Sequence, residues 1–385
     1  MGRIRIAYFI DHLKVGGAQR HLIDLVRGLD RDRFDPQVWL LRRDGHLVDE
    51  IEALEIPVQT VGVRNRLIEA NSAWILGRVS RQLRRDRVKI VHTYLSDANV
   101  VGAVASMVAR IPILLVSKRS LDRYAKRSQR WTHYIVNCLS DRVVANAQAI
   151  KDFVVRHEGC PVEKIVVIPN GIKKGATPLL SNGQARAMRQ SLGLGPSEHI
   201  VGTIGRLVWK KGHEHFLEAA STVLRQEPNT TFVMVGDGPR RRELEQYAQD
   251  LGIAQQVRFL GQRVDTQKLL SIFDTFVLPS VIEGMPNALL EALAASRPVV
   301  VTDVGGNGEI VTDGQTGIIV PPRDPLVMAE SIIRLLRDRD LARQLGLNGA
   351  HFVTEHFHFD RTLDAMQSLY EEVLSENGIE MPITS

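Results

Sequence analysis

Cysteine is scarce in this chain. Cys138 and Cys160 are its two, and they form no CxxC, so a disulfide framework is excluded. No His/Cys cluster has zinc spacing either. Long apolar runs are also missing. The longest mostly apolar stretch without a charge, Ala98–Ala109, falls short of the roughly 20 residues that a membrane-spanning helix needs. The run Ile6–Ile10 meets Asp11 at once and cannot be a signal-peptide core. Ile6 stands where an N-myristoylation motif would need Ser or Thr. No G-x-G-x-x-G follows the first apolar run, which argues against a dinucleotide-binding oxidoreductase. A cytoplasmic protein is the simplest expectation. What is present is ordinary: 385 residues, 44% hydrophobic and 24% charged, as in a soluble globular enzyme of two domains.

Charge is unevenly spread. Residues 1–170 hold 28 Lys+Arg against 18 Asp+Glu, whereas residues 171–385 hold 21 against 26. The basic first half is expected to face something anionic: nucleic acid, a membrane surface or an acidic substrate. Two stretches concentrate the cations. Between Arg64 and Lys89, Trp74, Ile75, Leu76, Val79 and Leu83 accompany Arg78, Arg81, Arg84, Arg85 and Arg87. From Lys118 to Arg130, Arg119, Arg123, Lys126 and Arg127 surround Tyr124. A solvated helix face and a patch for anionic lipid both fit this pattern.

Short apolar strands alternate with amphipathic helices throughout. Arg5–Ile10, Val38–Leu41, Ile90–His92, Ile113–Val116, Arg142–Ala145 and Ile165–Ile168 read as strands of the first half. Ala18–Leu29 repeats its leucines and valine at helical spacing. Residues 173–199 are rich in Gly, Pro, Ser and Asn and read as a linker. The alternation then restarts with Ile200–Ile204, Thr231–Val235, Val257–Leu260, Thr275–Leu278, Val299–Thr302 and Gly317–Val320. This predicts two doubly wound α/β domains, residues 1–172 and 200–356, facing across a cleft, with a tail helix over residues 357–385 expected to cross back to the first domain. Ligands in such sheets sit at the carboxyl ends of strands, so the turns there should carry the chemistry.

Two of those turns stand out. Gly205–Arg206–Leu207–Val208–Trp209–Lys210–Lys211–Gly212 brackets three cations between glycines before a helix, a setting suited to a diphosphate. Pro279–Glu291 places Glu283 in a loop and Glu291 about one turn into the next helix, where a carboxylate can accept paired sugar hydroxyls. Asp30–Arg31–Asp32 and Asp338–Arg339–Asp340 spell Asp-x-Asp, but neither follows an apolar strand, so no metal is expected.

With these pieces, and with Gly16–Gly17–Ala18–Gln19, Ile168–Pro169–Asn170–Gly171–Ile172, Val235–Gly236–Asp237–Gly238–Pro239 and Val304–Gly305–Gly306–Asn307 in order, the chain closely resembles the family-4 retaining glycosyltransferases of GT-B fold. The resemblance implies a hexose or N-acetylhexosamine moved from a nucleotide-diphosphate sugar, UDP favoured over GDP, to a glycan or lipid-linked acceptor. It implies no cofactor and no nucleic-acid partner. Arg206 and Lys211 match the pair on the donor diphosphate, Glu291 the acid on the ribose, and Glu283 the acid on the transferred sugar. Met285, Pro286, Asn287 and Ala288 would touch sugar and phosphates. Gly16, Gly17 and Asn170 would approach the donor from the first domain, and Gly238 and Arg263 lie where the base is seated. Many relatives have a histidine after the strand matching Ile113–Val116; here the turn reads Ser117–Lys118–Arg119–Ser120, and His92 is the nearest first-domain candidate. A sugar-nucleotide 2-epimerase of the same fold is the closest rival, and a non-enzymatic nucleic-acid-binding protein a more distant one. The order of Arg206, Lys211, Glu283 and Glu291 fits transferases better than the first, and the second leaves the acidic second half and its sugar-type loop unexplained.

Overall fold

The computed structural model describes residues 2–62, 72–121, 127–173, 180–195 and 198–381. Arg64, Arg123, Tyr124 and Lys126 of the cationic stretches lie outside the described residues. The chain forms two compact units: Met1–Asn170 with Arg361–Ser385, and Gly171–Asp360.

Among the described residues, the first unit holds seven parallel strands: β1 (Ile4–Ile10), β2 (Phe34–Leu40), β3 (Val58–Thr60), β4 (Ile90–Tyr94), β5 (Ile113–Lys118), β6 (Arg142–Ala145) and β7 (Ile165–Val167). Their order is β3-β2-β1-β4-β5-β6-β7. The second unit holds β8 (His199–Ile204), β9 (Thr230–Val235), β10 (Val257–Gly261), β11 (Thr275–Leu278), β12 (Val299–Thr302) and β13 (Ile318–Val320), in the order β10-β9-β8-β11-β12-β13. Strands covered by helices on both faces must be apolar on both, and β4, β5, β9, β11 and β12 are buried along their whole length. In each sheet the strand order reverses once, between β1 and β4 and between β8 and β11. The crevice outside the carboxyl ends of those strands is the ligand position of a doubly wound sheet.

The C-terminal helix Phe359–Glu376 inserts Met366, Leu369, Tyr370, Val373 and Leu374 into the core of the first unit, together with Tyr8, Ile90 and Leu115. Its Tyr370 hydroxyl lies 3.0 Å from that of Tyr8 and 2.9 Å from His92 Nδ1. This helix is part of the first unit's core.

Three features depart from the sequence reading. The stretch that reads as a linker contains the helix Asn182–Ser191, capped by Ser181, whose hydroxyl accepts the Gln184 N–H at 3.4 Å while the Gln184 side chain accepts the Ser181 N–H at 3.0 Å. The signal for it is the Ser-x-x-Gln spacing of a capping box. β2 begins at Phe34, four residues before the sequence reading, which Pro36 displaces. β3 reaches only Val38–Leu40, so Pro36 lies beyond the stretch of β2 that β3 pairs, where a missing N–H costs little. β3 itself is three residues long, too short to announce itself.

Candidate active site

The loop after β8 is held in place through its backbone. The Gly205 N–H donates to Val235 O at 2.9 Å and the Leu207 N–H to Asp237 O at 3.0 Å. A side chain at Gly236, which has φ +137°, would strike Gly205 O, and one at Gly238 would strike Leu207 O. The loop after β9 therefore packs against the loop after β8 because both positions lack a Cβ. Leu207 is buried and anchors the segment, while Arg206 beside it is exposed.

The turn Trp209–Lys211 leads through Gly212, at φ +60°, into the helix His213–Gln226. A Cβ on Gly212 would meet Pro279 O, so glycine is required where this turn touches the loop after β11. The N–H groups of Val281 and Ile282 donate to Lys210 O at 2.8 and 3.2 Å. These bonds bring Lys211 Nζ into an ion pair with Glu283 Oε1. Glu283 stands in the loop, as the sequence reading has it, and is only 8% exposed. Its Oε1 also accepts the Ser280 hydroxyl at 2.6 Å, and Ser280 O in turn accepts the Thr302 hydroxyl at 2.6 Å. Gly305, at φ +55°, leaves room for Glu283 O, and the Gly306 N–H donates to Gly284 O at 2.8 Å. The carboxylate is thus fixed by β11, β12 and both following loops.

Met285 and Pro286 are buried, and the helix Asn287–Ala294 starts immediately after them. Ala288 occupies its second position, where a backbone N–H has no acceptor within the helix. Glu291 is half-buried one turn on. The other cations near these loops are committed. Arg240 pairs with Glu214 and Glu243, Arg241 with Asp237 and Glu245, and Arg263 with Asp265 at 2.7 Å. Arg206 has no carboxylate partner among the described residues. His213, at the start of its helix, is buried with Nδ1 unpartnered, and burial, with Lys211 and Arg240 adding to it, holds it down at about 3.

In the first unit, Gly16 caps the helix Gly17–Gly28 in extended conformation, and a Cβ there would meet the Gln19 side chain. Asn170 is buried and its side-chain oxygen accepts from Arg119. His92 is fully buried, with Nδ1 at 2.9 Å from Tyr370 OH and Nε2 at 2.9 Å from Ser117 Oγ. Burial, with Arg119 adding to it, holds His92 down at about 3. Both ring nitrogens are engaged in the core. This is the packed, hydrogen-bonded histidine, with no nitrogen left to serve a reacting hydroxyl.

Sequence reasoning assigns no role in the site to Ser280, Thr302, His213 or Arg119. Ser280 has a legible signal, a small hydroxyl at the end of an apolar strand three residues before the acid. The others depend on contacts distant in sequence. Of the two Asp-x-Asp segments, Asp30 accepts the Asp32 N–H at 3.0 Å and Asp338 caps the helix Arg339–His356 through the Leu341 N–H at 2.9 Å. Among the described residues no cluster of three or more His, Cys, Asp or Glu could hold a metal ion.

Comparison with known proteins converges on one family. The profile described as Glycosyltransferase Family 4 matches residues 15–174, and that described as Glycosyl transferases group 1 matches residues 184–352. The chain is 25% identical to the UDP-Gal:alpha-D-GlcNAc-diphosphoundecaprenol alpha-1,3-galactosyltransferase of Escherichia coli, over 97% of this chain and 98% of that protein. It is 27% identical to the alpha-D-kanosaminyltransferase of Streptomyces kanamyceticus, over 78% and 81% of the two chains. In fold it is similar to Anabaena HepE in complex with UDP and glucose, with TM-score 0.86 and 24% identity over 96% of this chain and 100% of that one. The sucrose-phosphate synthase of Thermosynechococcus elongatus shares the fold at TM-score 0.80 and 21% identity, over 97% and 100%. Two parallel α/β sheets, each with its polar loops at the point where strand order reverses, and two profiles that together span most of the sequence make this chain a member of the family-4 glycosyltransferases, with the GT-B fold.

Proposed function

We propose that the chain moves a hexose or N-acetylhexosamine from a UDP-sugar to a hydroxyl of a glycan or lipid-linked acceptor, with retention at the anomeric carbon. One observation carries the reading: exposed Arg206, without a carboxylate partner among the described residues, shares the reversal point between β8 and β11 with the Lys211–Glu283 pair. A diphosphate meets Arg206 as a bidentate fork and Lys211 as a compact charge. The donor named for the Escherichia coli relative is a UDP-sugar, and HepE was solved with UDP, which favours uridine here.

In this reading Glu283 holds hydroxyls of the transferred sugar, and Lys211 pairs with that buried carboxylate. Backbone groups of Met285, Pro286, Asn287 and Ala288 line the sugar and phosphates, and Glu291 accepts from the ribose. Gly238 keeps the loops beside the base close together, while Arg263 acts there through its backbone, its guanidinium being taken by Asp265. Gly16 and Gly17 serve the donor from the first unit. The leaving diphosphate departs from the face on which the acceptor hydroxyl arrives, and Arg206 and Lys211 stabilise the charge that builds on it. The counter-charges at the diphosphate are side chains, so the reading invokes no metal. His92 is left out of the reacting set because its nitrogens are occupied. Incubation with labelled UDP- and GDP-sugars, following both nucleotide release and the fate of the sugar, tests the proposal. Sugar transferred with retained configuration supports it; an epimerised free sugar or no turnover overturns it.

Replacing Glu291 by alanine should act on donor affinity. A hydrogen bond to a charged group contributes about 1.5–3 kcal/mol, so the donor KM is expected to rise roughly 10- to 100-fold. Because the ribose is gripped alike in ground and transition states, kcat should change little. An unchanged donor KM removes the ribose role.

The proposal extends to the membrane. Among the described residues no helix is long and apolar enough to cross one. The helix Arg127–Leu139, however, exposes Trp131, Ile135 and Leu139 at successive turns, beside exposed Arg127 and Arg130. Trp74 is likewise exposed, at 69%, with Arg78 over its ring. An apolar stripe flanked by cations suits an anionic lipid surface. Vesicles containing anionic lipid should sediment with the protein at low salt, and Trp131→Ser with Ile135→Ser should release most of it. Equal sedimentation with neutral vesicles excludes the docking.

A further inference from the structure

Two consecutive cations at the end of β5 meet opposite fates. Lys118 points into the unit, where it pairs with Glu158 at 2.5 Å. Arg119, on the other side of the chain, has no acidic partner among the described residues. Its guanidinium donates to the Asn170 side-chain oxygen and lies over the Tyr94 ring, 5.9 Å from the centroid. Both partners are neutral. The surroundings are neutral too: His21 is 4% exposed with Nε2 unpartnered, and its ring centroid is 6.2 Å from that of Tyr94. Burial and the charge of Arg119 hold both His21 and His92 well below the ordinary imidazole range. Burial lowers Arg119 itself to about 10.

A half-buried guanidinium whose described neighbours are all neutral is unusual, since a desolvated charge is normally paired. Its place is informative. Tyr94 ends β4, beside the point where the strand order of the first sheet reverses. The next residue, Leu95, has φ +73° and ψ 160°, a backbone region that is almost glycine's alone. Strain and a charge with no counter-charge among the described residues thus meet where a doubly wound sheet receives a ligand. The planar fork of arginine matches an oxyanion, and phosphoryl groups above all.

We propose that Arg119 receives a phosphoryl group of the acceptor, so that this transferase acts on an acceptor carrying phosphate or diphosphate. The inference rests on the transferase reading, in which Arg206 and Lys211 of the second unit already serve the donor diphosphate. A second cation in the first unit is then available to the other substrate. Acceptors lacking phosphate leave half-buried Arg119 without a counter-charge among the described residues and bind less well.

Inorganic pyrophosphate, titrated calorimetrically into the full chain at saturating UDP, tests this without a known acceptor. UDP occupies the donor site, so any remaining pyrophosphate binding reports a second anion site. The expected result is binding that weakens at least tenfold in Arg119→Gln, with UDP affinity unchanged in that variant. Arg119→Lys, which keeps the charge and loses the fork, should lie between them, and it stands in if the glutamine variant melts early. Three results overturn the proposal: no pyrophosphate binding at saturating UDP, binding equal in parent and variants, or UDP affinity that falls with the substitution, which would give Arg119 to the donor. If UDP itself fails to bind the parent protein, it is the transferase reading that has failed.

Discussion

Arg206→Ala is expected to lower kcat by roughly 100- to 1000-fold, the usual consequence of removing one donor from a developing oxyanion, about 3–4 kcal/mol. Three observations make this the sharpest test of the donor site. Arg206 is exposed and has no carboxylate partner among the described residues, so its removal leaves no buried charge behind. The residues on either side are fixed by their own backbone bonds to Val235 and Asp237, so the loop keeps its course without the side chain. Lys211 offers no such clean test: its removal strands Glu283, which is 8% exposed, with only the Ser280 hydroxyl facing the shared oxygen. Arg206→Ala should therefore melt with the parent and fail in turnover, while Lys211→Ala should suffer in both. Arg206→Lys should recover part of the rate, since a point charge remains where the fork is lost. Steady-state kinetics at saturating donor, with a melting curve for each variant, decide it. Parental kcat in Arg206→Ala would remove the residue from the site.

Much of this site is legible in the amino-acid sequence. Parallel strands buried on both faces write themselves as apolar runs, so twelve of the strands can be placed from sequence, most within a residue or two. The turns that follow β8 and β11 can be found because glycine and proline punctuate them, and the same glycines prove to be contact points between loops. The helical position of Glu291 follows from Pro286 and the 3.6-residue period.

What stays hidden is what depends on pairing at a distance. Glu283 reads as a loop carboxylate with no partner in view; the turn Trp209–Lys211 brings an ammonium to it across 72 residues of chain. Trp74 reads equally as core or surface, because helical spacing says which residues share a face and not what covers that face. His92 looks like a catalytic candidate after a strand; only the return of the C-terminal helix, with Tyr370, shows that both its nitrogens are spoken for. Lys118 misleads most plainly. It reads with Arg119, Arg127 and Arg130 as part of one cationic stretch, yet it is buried and neutralised. A strand alternates its side chains between faces, so adjacent cations can belong to different environments.

That buried pair gives the largest stability effect expected in the chain. Glu158 ends the helix Gln148–Glu158 and is 6% exposed. Its carboxylate takes Lys118 Nζ at 2.5 Å, His133 Nδ1 at 3.1 Å and the Asn137 side-chain N–H at 3.3 Å, joining β5 to two helices. Burial alone would push the carboxyl up, but His133 and Lys118 outweigh it and hold it down at about 2. A carboxylate whose folded value lies below its unfolded one stabilises the protein above the unfolded value, and that contribution disappears as the pH falls through the folded one. The ordinary glutamate value is 4.5, so the loss falls between pH 4.5 and about 2. Glu158→Gln keeps the shape and removes the charge, which leaves Lys118 buried with neutral oxygens. Breaking a buried pair on one side costs about 3–5 kcal/mol, and for a unit of this size that lowers the melting temperature by roughly 10 °C. The variant should also lose part of the parent's acid dependence in that window, since the group that titrates there is gone. Melting curves of both proteins at neutral pH and at a series of acid values read the two effects together. An unchanged melting temperature at neutral pH, or an acid profile that still runs parallel to the parent's, would show that the Lys118–Glu158 pair does not hold the first unit together.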